Sequence, residues 1–145
     1  MPLLLVDAQP APPVDVDPLL QGVIGVHATA PVPERIGRLL GLATQAVAAG
    51  LARDGVVPSP LAAVFFRGRV CFSLHPRQLA AHVSLALFDL DRLESRPEGQ
   101  VLLIMVEELV HHCYRLHDEA ATSRKVAELL PGVEYDPATG RYRPQ

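Results

Sequence analysis

Apolar residues recur at helical spacing from position 33 onward, in the segment PERIGRLLGLATQAVAAGLARDG. Pro33 and Glu34 suit the first turn of a helix, and Gly55 suits its end, because glycine readily takes the left-handed conformation that stops a helix. The apolar positions, spaced three or four residues apart, predict one buried face made of Ile36, Leu39, Leu40, Ala43, Val47 and Leu51. The pattern predicts an amphipathic helix.

The pattern changes after Pro58 and Pro60, which interrupt helical spacing. Residues 61–74, LAAVFFRGRVCFSL, contain two apolar runs joined around Gly68, and this arrangement is typical of a β-hairpin. Residues 82–93, HVSLALFDLDRL, predict a third strand, although the same residues also tolerate a helix. The segment therefore predicts a small, mostly antiparallel sheet of three strands.

The longest apolar run lies in Val101 to Leu130, VLLIMVEELVHHCYRLHDEAATSRKVAELL. A helix ending near Leu116 would place one apolar stripe on the core, formed by Leu102, Met105, Val106, Leu109, Cys113 and Leu116. Glu107 and His111 would lie opposite that stripe, with Glu108 and His112 along its flank. Asp118 suits the N-cap of a second helix that Pro131 and Gly132 close.

Two further features complete the predicted architecture. Seven of the 14 prolines fall in residues 1–33, which predicts an extended or irregular proline-rich arm. Residues 34–145 then form a single domain, with a turn at 136–140 in its tail. The predicted fold class is α+β, with an N-terminal helix, a small mostly antiparallel three-stranded sheet and two C-terminal helices.

Composition narrows the classes of function. A net charge of −3 with no basic cluster argues against nucleic acid as a partner. The apolar runs are too short to span a membrane, and no signal peptide is evident at the first residues. Cys71 and Cys113 lack a short spacing, so reduced thiols and a cytoplasmic location are expected.

The central helix carries the candidate chemistry. Glu107 with His111, and Glu108 with His111 or His112, have the spacing that lets two helix side chains bind one ion. A hydrolytic zinc site needs three protein ligands, an open position for water and a carboxylate close to that water as general base. Glu107 and His111 are the predicted first two ligands, and Glu108 is the predicted base.

The third ligand has to come from beyond the helix. A reversal of the chain after Leu116 would bring Glu119 back towards His111, so Glu119 is the predicted third metal ligand. Asp118 and His117 are alternatives for that position. His112 is the alternative imidazole ligand on the helix.

Strands, a helix with Glu-x-x-His and a following acidic helix that ends in Leu-Leu-Pro together resemble the minimal zincin-type metallopeptidase domain over residues 61–131. Members of that group carry His-Glu-x-x-His, and here Glu108, His111 and His112 match while Glu107 replaces the first His. Glu119 falls in the region of the family's third ligand. The resemblance implies a zincin-like fold and a zinc-dependent peptidase, or an inactive relative, with the third strand holding a peptide or protein substrate by β-augmentation.

A second hypothesis belongs to another class. The same acidic and imidazole groups could pair with Arg115 or Arg124 in a buried polar network, within a non-catalytic protein–protein interaction module that forms a homo-oligomer. A metal enzyme requires His111 and a carboxylate to converge at a position that solvent reaches. An interaction module requires these groups to be satisfied by arginine or by the backbone.

Overall fold

The computed structural model of the protein describes residues 4–5, 9–10, 15–70, 72–73 and 84–144. Along the described residues, three strands precede the first helix and three more precede the second, and two helices and then two strands follow. The elements in chain order are β1 (Leu4–Leu5), β2 (Gln9–Pro10), β3 (Ile24–Ala28), α1 (Glu34–Asp54), β4 (Leu61–Phe66), β5 (Phe72–Ser73), β6 (Leu85–Asp89), α2 (Leu90–Glu94), α3 (Glu98–Cys113), α4 (Glu119–Leu129), β7 (Val133–Asp136) and β8 (Arg141–Pro144).

The main sheet is parallel, so the prediction of a mostly antiparallel three-stranded sheet is wrong. Strand β4 lies between β3 and β6 and runs parallel to both, with Val26, Ala63 and Ala86 side by side. Only the short β2 runs antiparallel, at the outer edge of β3. Helix α1 accounts for the parallel pairing of β3 with β4, because a helix that connects two neighbouring strands returns the chain to the end of the sheet where it began.

The described residues of the segment 61–74 do not form the predicted hairpin. The chain does turn at Gly68, which has a φ of 72°, but Phe72–Ser73 then pairs with Leu4–Leu5. Both edges of β4 are already occupied by β3 and β6. The uninterrupted apolar run of β4 is typical of a parallel strand that is apolar on both faces, whereas hairpin strands usually alternate.

Helix α1 forms as predicted, from Glu34 to Asp54. All six residues of its predicted face are buried, and Gly55 ends the helix in the left-handed conformation with a φ of 65°. The helix packs mainly against α3. One face of the sheet meets these two helices, with the rings of Phe65 and Phe88 stacked 5.2 Å apart in the core.

The two predicted C-terminal helices are present, and α3 ends at Cys113, three residues earlier than predicted. The Asp118 side chain accepts a hydrogen bond from the Ala121 amide at 2.7 Å and caps α4, as expected from its position. Strands β7 and β8 pair antiparallel on either side of the predicted turn. Of the predicted third strand, residues 85–89 form β6, residues 90–93 belong to α2, and residues 82–83 lie outside the described residues. Strand β3 lies within the segment assigned to the arm.

Within the described parts of the chain, none of the helices combines the length and the apolar character needed to cross a bilayer.

Candidate metal centre

Three side chains converge where α3 and α4 meet. Glu107 and His111 lie one turn apart on α3, on the side that does not face the core. The chain reverses over residues 114–118, and Glu119 is the first residue of α4. One ligand atom from each of the three residues lies within 4.8 Å of the other two. These are the three residues that the sequence predicts as metal ligands.

A backbone carbonyl fixes the orientation of the His111 ring. Its Nδ1 lies 2.8 Å from the Leu116 carbonyl oxygen, which can only accept a hydrogen bond, so Nδ1 carries a proton. In the neutral ring the lone pair is then on Nε2, which points towards Glu119 Oε1 at 3.9 Å. A second hydrogen bond of this kind orients most histidines that bind metals. The loop after α3 therefore fixes the His111 ring with Nε2 facing Glu119.

The cluster has an excess of hydrogen-bond acceptors. Burial raises the pKa of the half-buried Glu107 carboxyl, and the negative charge of Glu119 adds to the shift. The Tyr142 hydroxyl donates to Glu107 Oε2 at 3.3 Å and opposes it. The carboxylates of Glu107 and Glu119 therefore meet beside the His111 ring. A bound cation, or an added proton, would relieve this repulsion.

The donor set fits a divalent transition metal, and zinc in particular. Imidazole and carboxylate are both zinc ligands, and tetrahedral zinc at its usual bond lengths holds them roughly 3.3 Å apart. The 3.9 Å between His111 and Glu119 would have to shrink by about 0.6 Å. The Glu119 side chain is 78% exposed, so a change of rotamer suffices. The same exposure leaves room for a water molecule on the solvent side.

The remaining predicted residues lie outside this cluster. Glu108 follows Glu107 on the helix, so it points about 100° away, and among the described residues its half-buried side chain has no hydrogen bond or ion pair. His112 lines a neighbouring cleft. Asp118 uses its carboxylate to cap α4, and His117 is exposed. These placements leave Glu107, His111 and Glu119 as the only predicted ligands that meet within the described structure.

The arginine partners of the polar-network hypothesis do not reach the cluster. Arg115 donates a hydrogen bond to the Ser59 hydroxyl. In the part of the chain that the structure describes, neither Arg115 nor Arg124 forms an ion pair with Glu107, Glu108 or Glu119. No arginine therefore balances the charge of the two clustered carboxylates there.

Sequence reasoning missed Tyr142, which comes from β8. Burial raises the pKa of Tyr142 to about 12, so the hydroxyl keeps its proton at neutral pH and can donate to Glu107. The contact joins residues 35 positions apart and depends on how the C-terminal hairpin packs beside α3. The tail has no local pattern that indicates this contact.

Comparisons of the chain with protein-family models, with curated proteins and with solved structures found no match.

Proposed function

We propose that this protein binds a divalent metal ion, with zinc the best candidate, through Glu107, His111 and Glu119, and that it is a metal-dependent hydrolase. The observation that carries the proposal is the convergence of these three side chains. The His111 ring is already oriented by the hydrogen bond from its Nδ1 to the Leu116 carbonyl oxygen. The resemblance to zincins supports the proposal only through the motif on α3, because the parallel sheet differs from the fold that the resemblance implies. The proposal rests on the local geometry.

Zinc at this site would polarise a substrate carbonyl and lower the pKa of its water. Two carboxylate ligands balance both charges of the ion, so it would acidify water less than a site with three histidines. Glu108 is the general base that the zincin resemblance implies, and its side chain lies about 100° around α3 from Glu107, on the flank of the cluster. Tyr142 is a candidate donor towards the substrate, since its hydroxyl remains protonated. A peptide or protein is the proposed substrate.

Metal binding is tested by isothermal titration calorimetry and by elemental analysis after dialysis. The informative variant is Glu119→Ala, because this exposed side chain has little structural role that would confuse the result. His112→Ala is the matched control, as its ring lies on the same helix but outside the cluster. We expect one zinc per chain in the wild type and the control, and a large loss of affinity in Glu119→Ala. Equal binding in all three proteins would reject the site.

Hydrolysis needs a separate test. The zinc-loaded protein is incubated with a mixed peptide library, and new termini are detected by mass spectrometry. Glu108→Gln should keep the metal and lose hydrolysis, because the amide cannot take a proton from water. Stoichiometric zinc without any cleavage would support the metal site and contradict the proposal that the protein is a hydrolase.

One observation favours the alternative, a non-catalytic interaction module. On the sheet face away from α1 and α3, Leu87 is 46% exposed, whereas its register partner Val64 on β4 is fully buried. Parallel sheets usually bury both faces. Sedimentation velocity of the wild type and of Leu87→Glu tests it, since a homo-oligomer formed through this face would dissociate in the variant. A monomeric wild type would argue against the homo-oligomer.

A further inference from the structure

A second site lies beside the candidate metal centre, in a cleft of about 530 Å³. The cleft opens between the C-terminal end of α3 and the residues that precede β4 and β6. Its volume falls in the range of sites that bind small molecules. The polar residues that line it are Ser59, Ser84, His111, His112, Arg115 and His117.

The charge of this lining is one-sided. Each ionisable residue among the described lining residues is basic, and the other polar groups are serine hydroxyls. The chain as a whole has a net charge of −3, so such a cleft does not simply reflect composition. Guanidinium, imidazole and hydroxyl groups are the side chains that donate hydrogen bonds to carboxylate and phosphate oxygens.

Arg115, the arginine in this lining, has an unfavourable backbone conformation. Arg115 has a φ of 55°, and it is the one residue other than glycine with a positive φ in the described structure. That conformation is unfavourable for a side chain with a Cβ. The Arg115 guanidinium donates a hydrogen bond to the hydroxyl of Ser59, which also lines the cleft. Among the described residues no carboxylate pairs with this guanidinium, so its charge is available to a ligand.

We propose that this cleft binds the oxyanion group of a small ligand, a carboxylate or a phosphate, with Arg115 as the principal contact and the two serine hydroxyls as further donors. His111 lies between the cleft and the metal centre, so an anionic substrate held here would extend towards the metal. Binding of the anion itself does not rest on the proposed function, because no metal ligand apart from His111 lines the cleft.

The test uses full-length protein stripped of metal with a chelator and then dialysed, at low ionic strength to limit screening. Titration calorimetry or NMR follows the binding of inorganic phosphate, of N-acetylalanine and of the neutral N-acetylalaninamide. Arg115→Gly removes the guanidinium and accepts the positive φ without strain. Arg115→Lys keeps a charge without the forked guanidinium, and Arg124→Ala removes an exposed arginine that does not line the cleft.

We expect at least one of the two anions to bind, the neutral amide not to bind, and Arg115→Gly to weaken binding about tenfold or more. Arg115→Lys should bind with intermediate affinity, and Arg124→Ala should bind like the wild type. Phosphate alone would identify a phosphorylated ligand, and N-acetylalanine alone a free carboxylate such as a peptide C-terminus. Absence of binding by both anions, or equal binding in Arg115→Gly, would overturn the proposal. Zinc titration of Arg115→Gly then shows whether the metal site is intact, so failure of the anion site is distinguished from failure of the metal site.

Discussion

Gly50 lies in α1 where that helix meets the loop after α3 and the end of α4. A Cβ at this position would overlap the side chain of Leu129 and would lie 2.6 Å from the Tyr114 hydroxyl. That hydroxyl donates to Asp54 Oδ2 at 2.9 Å. Replacement of Gly50 by alanine therefore displaces the side chains of Leu129 and Tyr114, through which α4 and the residue after α3 pack against α1.

Three contributions set the expected change in the free energy of unfolding. Alanine in a helix interior gains about 1 kcal/mol over glycine. Overpacking of a well-filled site costs about 1–3 kcal/mol. Displacement of the Tyr114 hydroxyl weakens a hydrogen bond to a carboxylate, which costs about 1 kcal/mol more at this partly exposed position. The balance is a loss of about 2 kcal/mol, and for a domain of this size Tm falls by about 5–8 °C.

The assay is thermal unfolding of the metal-free protein followed by circular dichroism. Gly99→Ala is the matched control, because it also lies in a helix and an added Cβ there meets no atom within 4 Å. We expect the control to melt at or slightly above the wild-type temperature. If Gly50→Ala melted as high as the wild type, the described packing of α1 against Leu129 and Tyr114 would be incorrect.

Three further predictions concern ionisable groups. Hydrogen bonds from Arg53, then Lys125 and Tyr114, lower the pKa of Asp54 from 3.8 to about 2, so its stabilising contribution is complete above pH 3.8 and is lost as pH falls towards 2. Urea unfolding should therefore show the stability difference between wild type and Asp54→Asn shrinking over that range, and a constant difference would contradict the hydrogen bonds. Burial raises the pKa of Glu107, so ionisation of this carboxyl on going from pH 4 to pH 7 disfavours the folded metal-free state. Over that rise in pH, the stability of Glu107→Gln should increase relative to that of the wild type, and the variant should lose zinc binding. If the stability of the variant relative to the wild type instead increased as the pH fell, the direction of the pKa shift would be refuted. Burial also raises the pKa of the Cys113 thiol to about 11, so in a Cys71→Ser background a thiol reagent should label Cys113 only after unfolding, and rapid labelling of the folded protein would show that the thiol is accessible.

Features that depend on neighbours in sequence could be predicted. The buried face of α1 follows from helical periodicity, and its end follows from Gly55. The approach of Glu119 to His111 could be predicted because the two residues are only eight positions apart and Asp118 marks the start of the next helix. A short reversal between two helices leaves few arrangements for such side chains.

The sheet could not be predicted in the same way, because strand pairing joins distant segments. The apolar run of β4 suits several partners, and its true neighbours lie before α1 and after residue 84. Strand β3 was missed because the high proline content of residues 1–33 as a whole outweighed the proline-free stretch 19–30 in which the strand lies. Tyr142 reaches Glu107 only through the packing of the C-terminal hairpin. Each of these contacts is set by tertiary structure.

The most direct test of the metal centre is anomalous X-ray scattering from crystals grown with zinc, with data collected on both sides of the zinc absorption edge. We predict one anomalous peak per chain, within about 2.0–2.2 Å of a Glu107 oxygen, His111 Nε2 and a Glu119 oxygen, while His111 Nδ1 stays bonded to the Leu116 carbonyl. Zinc bound only at other residues, or Glu107, His111 and Glu119 forming a closed network with no ion, would contradict the account.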